Sequence, residues 1–348
     1  MPLTIGDRLI GGDASPFVIA EAGVNHNGDT DVALALIDAA ARAGADAVKF
    51  QSFDAEAITV ADAPQAAYQQ ERAGASTQRE MLAALELPVA ALPALQARAQ
   101  AHGLLFLSTP FDLDSLRILV DLGVPALKIG SGDLTNLLML RAAAATGLPL
   151  LLSTGMATLE EVGRALQELP DVDVALLHCT SAYPAPVADA NLRAIGTLRD
   201  AYGREVGYSD HTIGVAAAIA ATGLGASIIE KHLTLDRGME GPDHAASAEP
   251  ATFAELVRGV REAHAALGDG IKRPRPSEED ARRVARRSLV TTRELPAGHR
   301  LVADDLTAKR PGTGISPFDL DAVVGSVVRR QLGADHLLRH DDLSLADD

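Results

Sequence analysis

The sequence is short of several things, and each shortage removes a class of answer. It has one cysteine, Cys179, so no internal disulfide framework can hold it together. Positive charge is scarce: 31 Lys+Arg stand against 47 Asp+Glu, a formal net charge of −16. So acidic a chain is a poor partner for a polyanion such as nucleic acid, although a few buried lysines can still make a local site for a small anion. Long apolar runs are missing too. The most apolar stretch, 215–229, is broken by glycines and falls short of a membrane span. Residues 1–15 lack a basic start followed by an apolar run, so no secretory signal is expected, and the protein is expected to be soluble and cytoplasmic.

What is present suits an ordinary globular protein. The 348 residues are 47% hydrophobic and 22% charged, enough for a full core and too apolar for long disorder. That length fits two average domains, or one barrel of about 250 residues with a small module. Between 17 and 266, eight apolar runs alternate with alanine-rich amphipathic stretches: 17–23, 46–51, 104–110, 126–132, 148–155, 174–181, 205–212 and 227–234. Each run is continuously apolar at its start, as a parallel strand buried on both faces requires. A helical pattern such as 31–43 follows most of them, then a glycine suited to a helix end: Gly44, Gly103, Gly123, Gly147. Eight such repeats predict an α/β fold, a (β/α)8 TIM barrel. An eight-stranded doubly wound sheet is the alternative, because spacing alone does not show closure.

One interval stands out. The second and third runs start at 46 and 104, and the excess, 52–79, reads as an extended βα loop on the face that serves an active site. After 267 the composition changes. The stretch 268–286 reads as a linker, and 287–348, with β-type runs at 288–292 and 323–328, as a small, mostly β module.

In a barrel, catalytic groups sit where strands run into βα loops. Those positions hold Glu21, Asn25 and His26, then Lys49 and Gln51, Ser108 and Thr109, Lys128 and Ser131, Ser153 and Thr154. They continue as Thr180, Ser181 and Tyr183, then Ser209, Asp210 and His211, and lastly Glu230, Lys231 and His232. As a set they exceed what packing needs and point to an active site. Lys49 and Lys128 lie within apolar strands, where an unpaired ammonium is costly. Each is either paired with a carboxylate or set to hold a phosphate or carboxylate ligand, and one could instead form a Schiff base. His211 and His232 end adjacent strands, so they read either as bonded core histidines or as two ligands of one ion. Two imidazoles with water and substrate oxygens suit Mn2+ or Mg2+, or Zn2+ with a third ligand. Asp243 and His244 read as a capped turn as readily as a functional pair. Cys179 reads as a small buried hydrophobe, the alanines at 142–145 as helix packing, and residues 346–348 as a solvated tail.

The strand-end motifs carry a resemblance. I-A-E-A-G-V-N-H-N-G (19–28), A-G-A-D-A-V-K-F-Q (43–51), S-T-P-F-D (108–112) and L-K-I-G-S-G-D (127–133) run in order with L-S-T-G-M-A-T (152–158). H-C-T-S-A-Y-P-A-P (178–186), G-Y-S-D-H-T-I-G (207–214), E-K-H-L-T-L-D (230–236) and G-P-D-H-A-A-S (241–247) follow. With them the chain resembles the sialic acid synthase family over nearly its whole length. The segments R-S-L-V-T-T-R-E-L-P-A-G-H (287–299) and K-R-P-G-T-G-I-S-P (309–317) resemble its C-terminal antifreeze-like (SAF) domain.

The resemblance implies a condensation of phosphoenolpyruvate with the open-chain aldehyde of an N-acylated hexosamine, giving a nine-carbon 2-keto acid and phosphate. A divalent metal, Mn2+ first with Mg2+ or Co2+ as substitutes, is implied to polarise the aldehyde, held by His211 and His232. By the same resemblance Lys49, Lys128, Thr109, Ser131, Ser153, Ser181 and Ser209 hold phosphoenolpyruvate, and Glu21 is the acid/base group. Gln51, Tyr183, Asp243 and Arg310 bind the sugar, Arg310 coming from the SAF domain of the other subunit in a homodimer. Ser181 stands where some bacterial neuraminate synthases carry Asn. The implied acceptor is N-acetylmannosamine, giving N-acetylneuraminate; a 2,4-diacetamido-2,4,6-trideoxy sugar, giving legionaminate, is the alternative. The G-P-D-H-A-A-S loop resembles these two kinds more than pseudaminate synthases. A non-catalytic sugar-phosphate-binding barrel and a class I aldolase are the rival readings.

Overall fold

In the computed structural model, which describes residues 2–65 and 77–344, a hairpin opens the chain (β1, Leu3–Ile5; β2, Arg8–Ile10). Eight parallel strands follow: β3 (Phe17–Gly23), β4 (Ala47–Ser52), β5 (Leu105–Pro110), β6 (Leu127–Ile129), β7 (Leu150–Ser153), β8 (Val174–Cys179), β9 (Val206–Asp210) and β10 (Ile228–His232). The ladder runs β5-β4-β3-β10-β9-β8-β7-β6. Its first parallel strand pairs with its last, His232 opposite Glu21, which an open doubly wound sheet would not do. β5 and β6 lie side by side at the seam without a ladder, so the barrel is nearly closed.

Side chains alternate across a strand, and here the alternation sorts the chemistry. Val18, Ala20, Val48, Leu127, Leu150, Leu152, Leu176 and Ile229 face outward and pack under the helices. Phe17, Ile19, Ala47, Leu107, Leu151, Leu177 and Ile228 face inward and fill the lower barrel, closed from below by Leu3, Ile5 and Ile10 of the hairpin. Gly207 has no side chain because a Cβ there would lie 2.6 Å from both Ile228 and Leu177.

The helices begin and end where local chemistry directs. Helix α1 (Thr30–Ala43) starts at Asp29, whose carboxylate accepts the N–H groups of Asp31 and Val32. It stops at Gly44, whose φ of 84° is easily reached only without a Cβ. The extended loop expected at 52–79 holds two short helices, α2 (Ala55–Ile58) and the start of α3 (Gln78–Ala83); its residues 66–76 lie outside the described residues, as do 346–348. Among the described residues no helix is long and apolar enough to cross a membrane.

The chain divides into two compact units, 1–268 and 269–348. In the second, β11 (Ser288–Thr291) pairs antiparallel with β12 (Leu306–Lys309), and β13 (Val327–Val328) with β14 (Leu343–Ser344). The run 323–328, expected to be β-type, forms strand only at Val327–Val328; Leu320–Val323 is a helical turn. This unit contains an internal duplication. Buried Asp305 takes Arg293 at 2.6 Å, His299 at 2.7 Å and the Val302 N–H at 3.0 Å. Buried Asp342 takes Arg330 at 2.7 Å, His336 at 2.9 Å and the Arg339 N–H at 3.0 Å. Every partner recurs 37 residues on (293 to 330, 305 to 342), matching R-E-L-P-A-G-H to R-Q-L-G-A-D-H.

Candidate active site

At the C-terminal ends of the barrel strands the inward positions turn polar and surround a cavity of about 420 Å3. Its floor is a chain of buried charges of alternating sign. Glu21 Oε2 lies 2.7 Å from Lys49 Nζ, which donates to Thr109 Oγ1 at 3.0 Å and stands 3.6 Å from Glu230. Glu230 then reaches Lys128 at 3.7 Å, and Lys128 donates to Ser153 Oγ at 2.6 Å. Ser209 Oγ donates to Glu230 at 2.8 Å, and Gln51 Nε2 to Glu21 at 3.0 Å. All four charged groups are buried. Such charges survive away from water only when paired. Each here faces an opposite charge and has at least one hydrogen bond, while Glu21 Oε2 and Glu230 Oε2 are buried with no hydrogen-bond partner and rely on the ammonium groups.

Ionisation follows from that arrangement. Burial pushes the Glu230 carboxyl up, but the ammonium groups of Lys128 and Lys49 and the Ser209 hydrogen bond outweigh it and bring it down to about 2. Burial depresses Lys49, yet Glu21 and Glu230 more than reverse this and hold it charged above its ordinary range. Lys128, flanked by one carboxylate, is shifted down by burial. Burial raises Glu21 above the usual carboxylate range against the pull of Lys49.

On the neighbouring side, His211 and His232 meet with ring centroids 5.5 Å apart, and Tyr183 packs 4.3 Å from the His211 ring. His211 Nδ1 lies 2.7 Å from the Thr180 carbonyl, which can only accept, so Nδ1 carries the proton and Nε2 a lone pair. Burial lowers both histidines, and His211 lowers His232 further, so both rings are neutral. His232 Nδ1 is buried without a hydrogen-bond partner, 3.7 Å from Asp243 Oδ2. Burial, then the Glu21 charge, push Asp243 up to about 7. A neutral imidazole pair with an orphaned ring nitrogen and a nearby carboxyl fits a divalent cation with open positions for water and substrate oxygens. Among the described residues no three His, Cys, Asp or Glu side chains are gathered into a cage.

Beside Lys128 the wall is a cradle of small polar heads. The Gly155 N–H donates to Ser131 Oγ at 3.0 Å, and a Cβ on Gly155 would lie 2.3–2.8 Å from Ser181 Oγ, Cys179 Sγ and Ser131 Oγ. Only glycine lets the three converge. Cys179, expected to be merely a small hydrophobe, is buried but forms part of this wall, its Sγ 3.1 Å from Ser131 Oγ.

Twelve of the residues given a site role from the sequence line this one cavity: Glu21, Lys49, Gln51, Thr109, Lys128, Ser131, Ser153, Ser181, Tyr183, Ser209, His211 and His232. Asp243 stands behind His232, and Arg310 belongs to the second unit. Other strand-end polar residues face away and are structural. Lys231 pairs with Asp210 at 2.8 Å outside the barrel, Ser108 shares a hydrogen bond with Ser52, and Asn25 donates to the Leu233 carbonyl and Ser247. In sequence Glu230 is one strand-end polar residue among many, with no role assigned to it, although its inward parity with Ile228 and His232 distinguishes it from Lys231. Gln78, Phe111 and Met156 also line the cavity, and none of them carries a strand-end polar signal in the sequence.

The description of the NeuB family matches residues 36–272, and that of the SAF domain residues 286–344. An N,N'-diacetyllegionaminic acid synthase of Legionella pneumophila is 44% identical, the match covering 94% of this chain and 95% of that protein. A mouse N-acetylneuraminate-9-phosphate synthase is 37% identical over 92% of this chain and 90% of its own. Among solved structures, the N-acetylneuraminic acid (sialic acid) synthetase of Leptospira borgpetersenii is similar with a TM-score of 0.72 and 39% identity, covering 81% of this chain and 95% of that one.

Proposed function

The chain belongs to the NeuB family, and on that basis we propose that its barrel joins phosphoenolpyruvate to an N-acylated amino sugar, with N-acetylmannosamine as the first acceptor. The observation that carries the reading is that Lys49 and Lys128 reach into the same cavity as the neutral pair His211 and His232. A second reading, a 2,4-diacetamido-2,4,6-trideoxy sugar as acceptor, is favoured by the name of the Legionella pneumophila relative.

In this proposal Lys128, Lys49, Thr109, Ser131, Ser153, Ser181 and Ser209 hold the phosphate and carboxylate of phosphoenolpyruvate. Fixed charges and hydroxyls held in a buried network need no reorganisation as charge shifts, which is where their rate effect arises. The buried quartet of Glu21, Lys49, Glu230 and Lys128 is neutral before substrate enters, so a bound trianion leaves the site anionic and favours a proton on Glu21. Glu21 thereby suits the role of acid/base group at the reacting carbons, or of orienting the water that adds before phosphate departs. Gln51, Tyr183 and Asp243 position the sugar, with Arg310 supplied by a second subunit.

His211 and His232 are the residues proposed to hold a divalent cation, Mn2+ first; when bound it supplies Lewis-acid polarisation of the aldehyde oxygen. The Thr180 carbonyl fixes His211 in the tautomer this requires. A Schiff base at Lys49 is disfavoured, because Lys49, held as an ammonium between two carboxylates, is a poor nucleophile. Lys128, which burial shifts down, is the lysine an aldolase would use, and borohydride trapping with pyruvate separates the two mechanisms. The test is phosphate release from phosphoenolpyruvate and Mn2+ with each sugar in turn. Release that depends on one of the two supports the proposal; release with neither overturns it.

A further inference from the structure

We propose that the C-terminal unit carries a second anion site, between the helix Glu279–Ala285 and the loop 311–316, for a small molecule bearing at least two phosphate or carboxylate groups. A cavity of about 750 Å3 lies there, lined wholly by residues of this unit. One wall presents Arg282, Arg283, Arg286 and Arg287. The facing wall is backbone at Gly312 and Gly314, where a Cβ on Gly312 would stand 2.6 Å from Arg286 Cβ. The two walls are tied together. The Gly312 N–H donates to the Arg283 carbonyl at 2.9 Å, while Ser288 Oγ donates to the Pro311 carbonyl at 2.7 Å and accepts the Gly314 N–H at 2.9 Å.

The charge inventory leaves this wall short of anions. Arg283 pairs with Asp280 at 2.7 Å, and Arg287 donates to the Ala308 carbonyl at 3.3 Å. The side chains of Arg282 and Arg286 have no hydrogen bond or ion pair among the described residues. They stand four residues apart, a like-charge spacing that opposes a helix. Asp280 and Glu279 are the carboxylates of the lining, against four guanidiniums, so two positive charges are uncompensated. Arginine forks suit phosphate and carboxylate oxygens, and a dianion would relieve the repulsion it bridges. The setting limits the ligand's size. Residues 269–348 hold 14 Lys+Arg and 14 Asp+Glu, whereas 1–268 hold 17 and 33, so a long polyanion meets a net repulsive molecule and a small one does not.

The test is calorimetric titration of the full chain with pyrophosphate, and separately with citrate, at fixed ionic strength. Wild type is expected to bind at least one of the two with a dissociation constant below about 1 mM at a site that Arg282→Gln/Arg286→Gln weakens at least tenfold, as each lost charged contact predicts. Arg329→Gln, elsewhere in the unit, should leave it unchanged, and Lys128→Met should remove only a barrel site. Protection of Arg282 and Arg286 from phenylglyoxal by the bound anion, mapped by peptide mass spectrometry, locates the site without any substitution. Neither anion binding below 1 mM, or binding indifferent to the paired substitution without protection of either arginine, overturns the proposal. Because phosphate release from phosphoenolpyruvate is read separately, failure here leaves the barrel reading standing.

Discussion

Lys128 shows how much one buried charge is asked to do. It donates to Ser153, faces Glu230 across 3.7 Å and borders the Ser131–Ser181 cradle. Lys128→Met should raise the KM for phosphoenolpyruvate at least tenfold and leave that of the amino sugar nearly unchanged, since a lost contact from a buried charge costs about 2–4 kcal/mol. A shift confined to the sugar KM would reassign the residue. The histidine pair predicts that thorough chelation abolishes phosphate release and that Mn2+ restores it in wild type but not in His211→Ala or His232→Ala. Full activity of stripped enzyme would end that idea. His26 carries a different kind of charge effect. It lies buried against Phe50, its Nδ1 accepting the Gly28 N–H at 3.0 Å, and burial pushes it down to about 4. An unfolded histidine takes its proton near pH 6.5, so between there and pH 4 the unfolded chain binds the extra proton. Stability therefore falls as pH drops through that window, by up to about 3 kcal/mol from this residue. His26→Gln should lose less urea resistance than wild type between pH 7 and 5; equal losses would show that His26 is not neutral in the fold.

Among the elements, strand parity decides which polar residue works and which merely ties the barrel together. In β10, Glu230 and His232 point into the cavity, while Lys231 between them pairs with Asp210 outside. A period-2 reading of each apolar run would have separated them, because the inward series begins with the same residues that fill the lower barrel. The duplicated clamps of the second unit make a matching prediction. Asp305 and Asp342 each satisfy one arginine, one histidine and one backbone N–H, so Ala at either should cost about 3 kcal/mol, and by a similar amount at both. Hydrogen exchange should rise across 287–344 while the barrel strands stay protected. A silent substitution at one site would show that the two halves carry unequal load.

For the molecule as a whole, the prediction concerns how many chains make a site. If Arg310 serves the barrel of a second subunit, Arg310→Ala and His211→Ala are complementary defects. After dissociation and random reassociation of the two inactive proteins, a twofold dimer should recover roughly a quarter of wild-type sites. Persistent inactivity with exchange demonstrated by mass labelling would place Arg310 at its own barrel or at none.

The sequence alone determined the eight strands, their helices, the strand-end residues and the change in composition near 268, because hydrophobic periodicity and capping are local properties. What it could not determine were relations between distant segments. Closure depends on β3 meeting β10 across more than 200 residues of chain, and the plugging of the barrel floor on Leu3, Ile5 and Ile10 finding Ile228 and Leu151. The same holds within the site. Glu21, Lys49, Lys128 and Glu230 come from four strands, and neither the alternation of their charges nor the central place of Glu230 exists until the barrel closes. Pairing energies of buried charges depend on separation and burial, and both are fixed only by the tertiary fold.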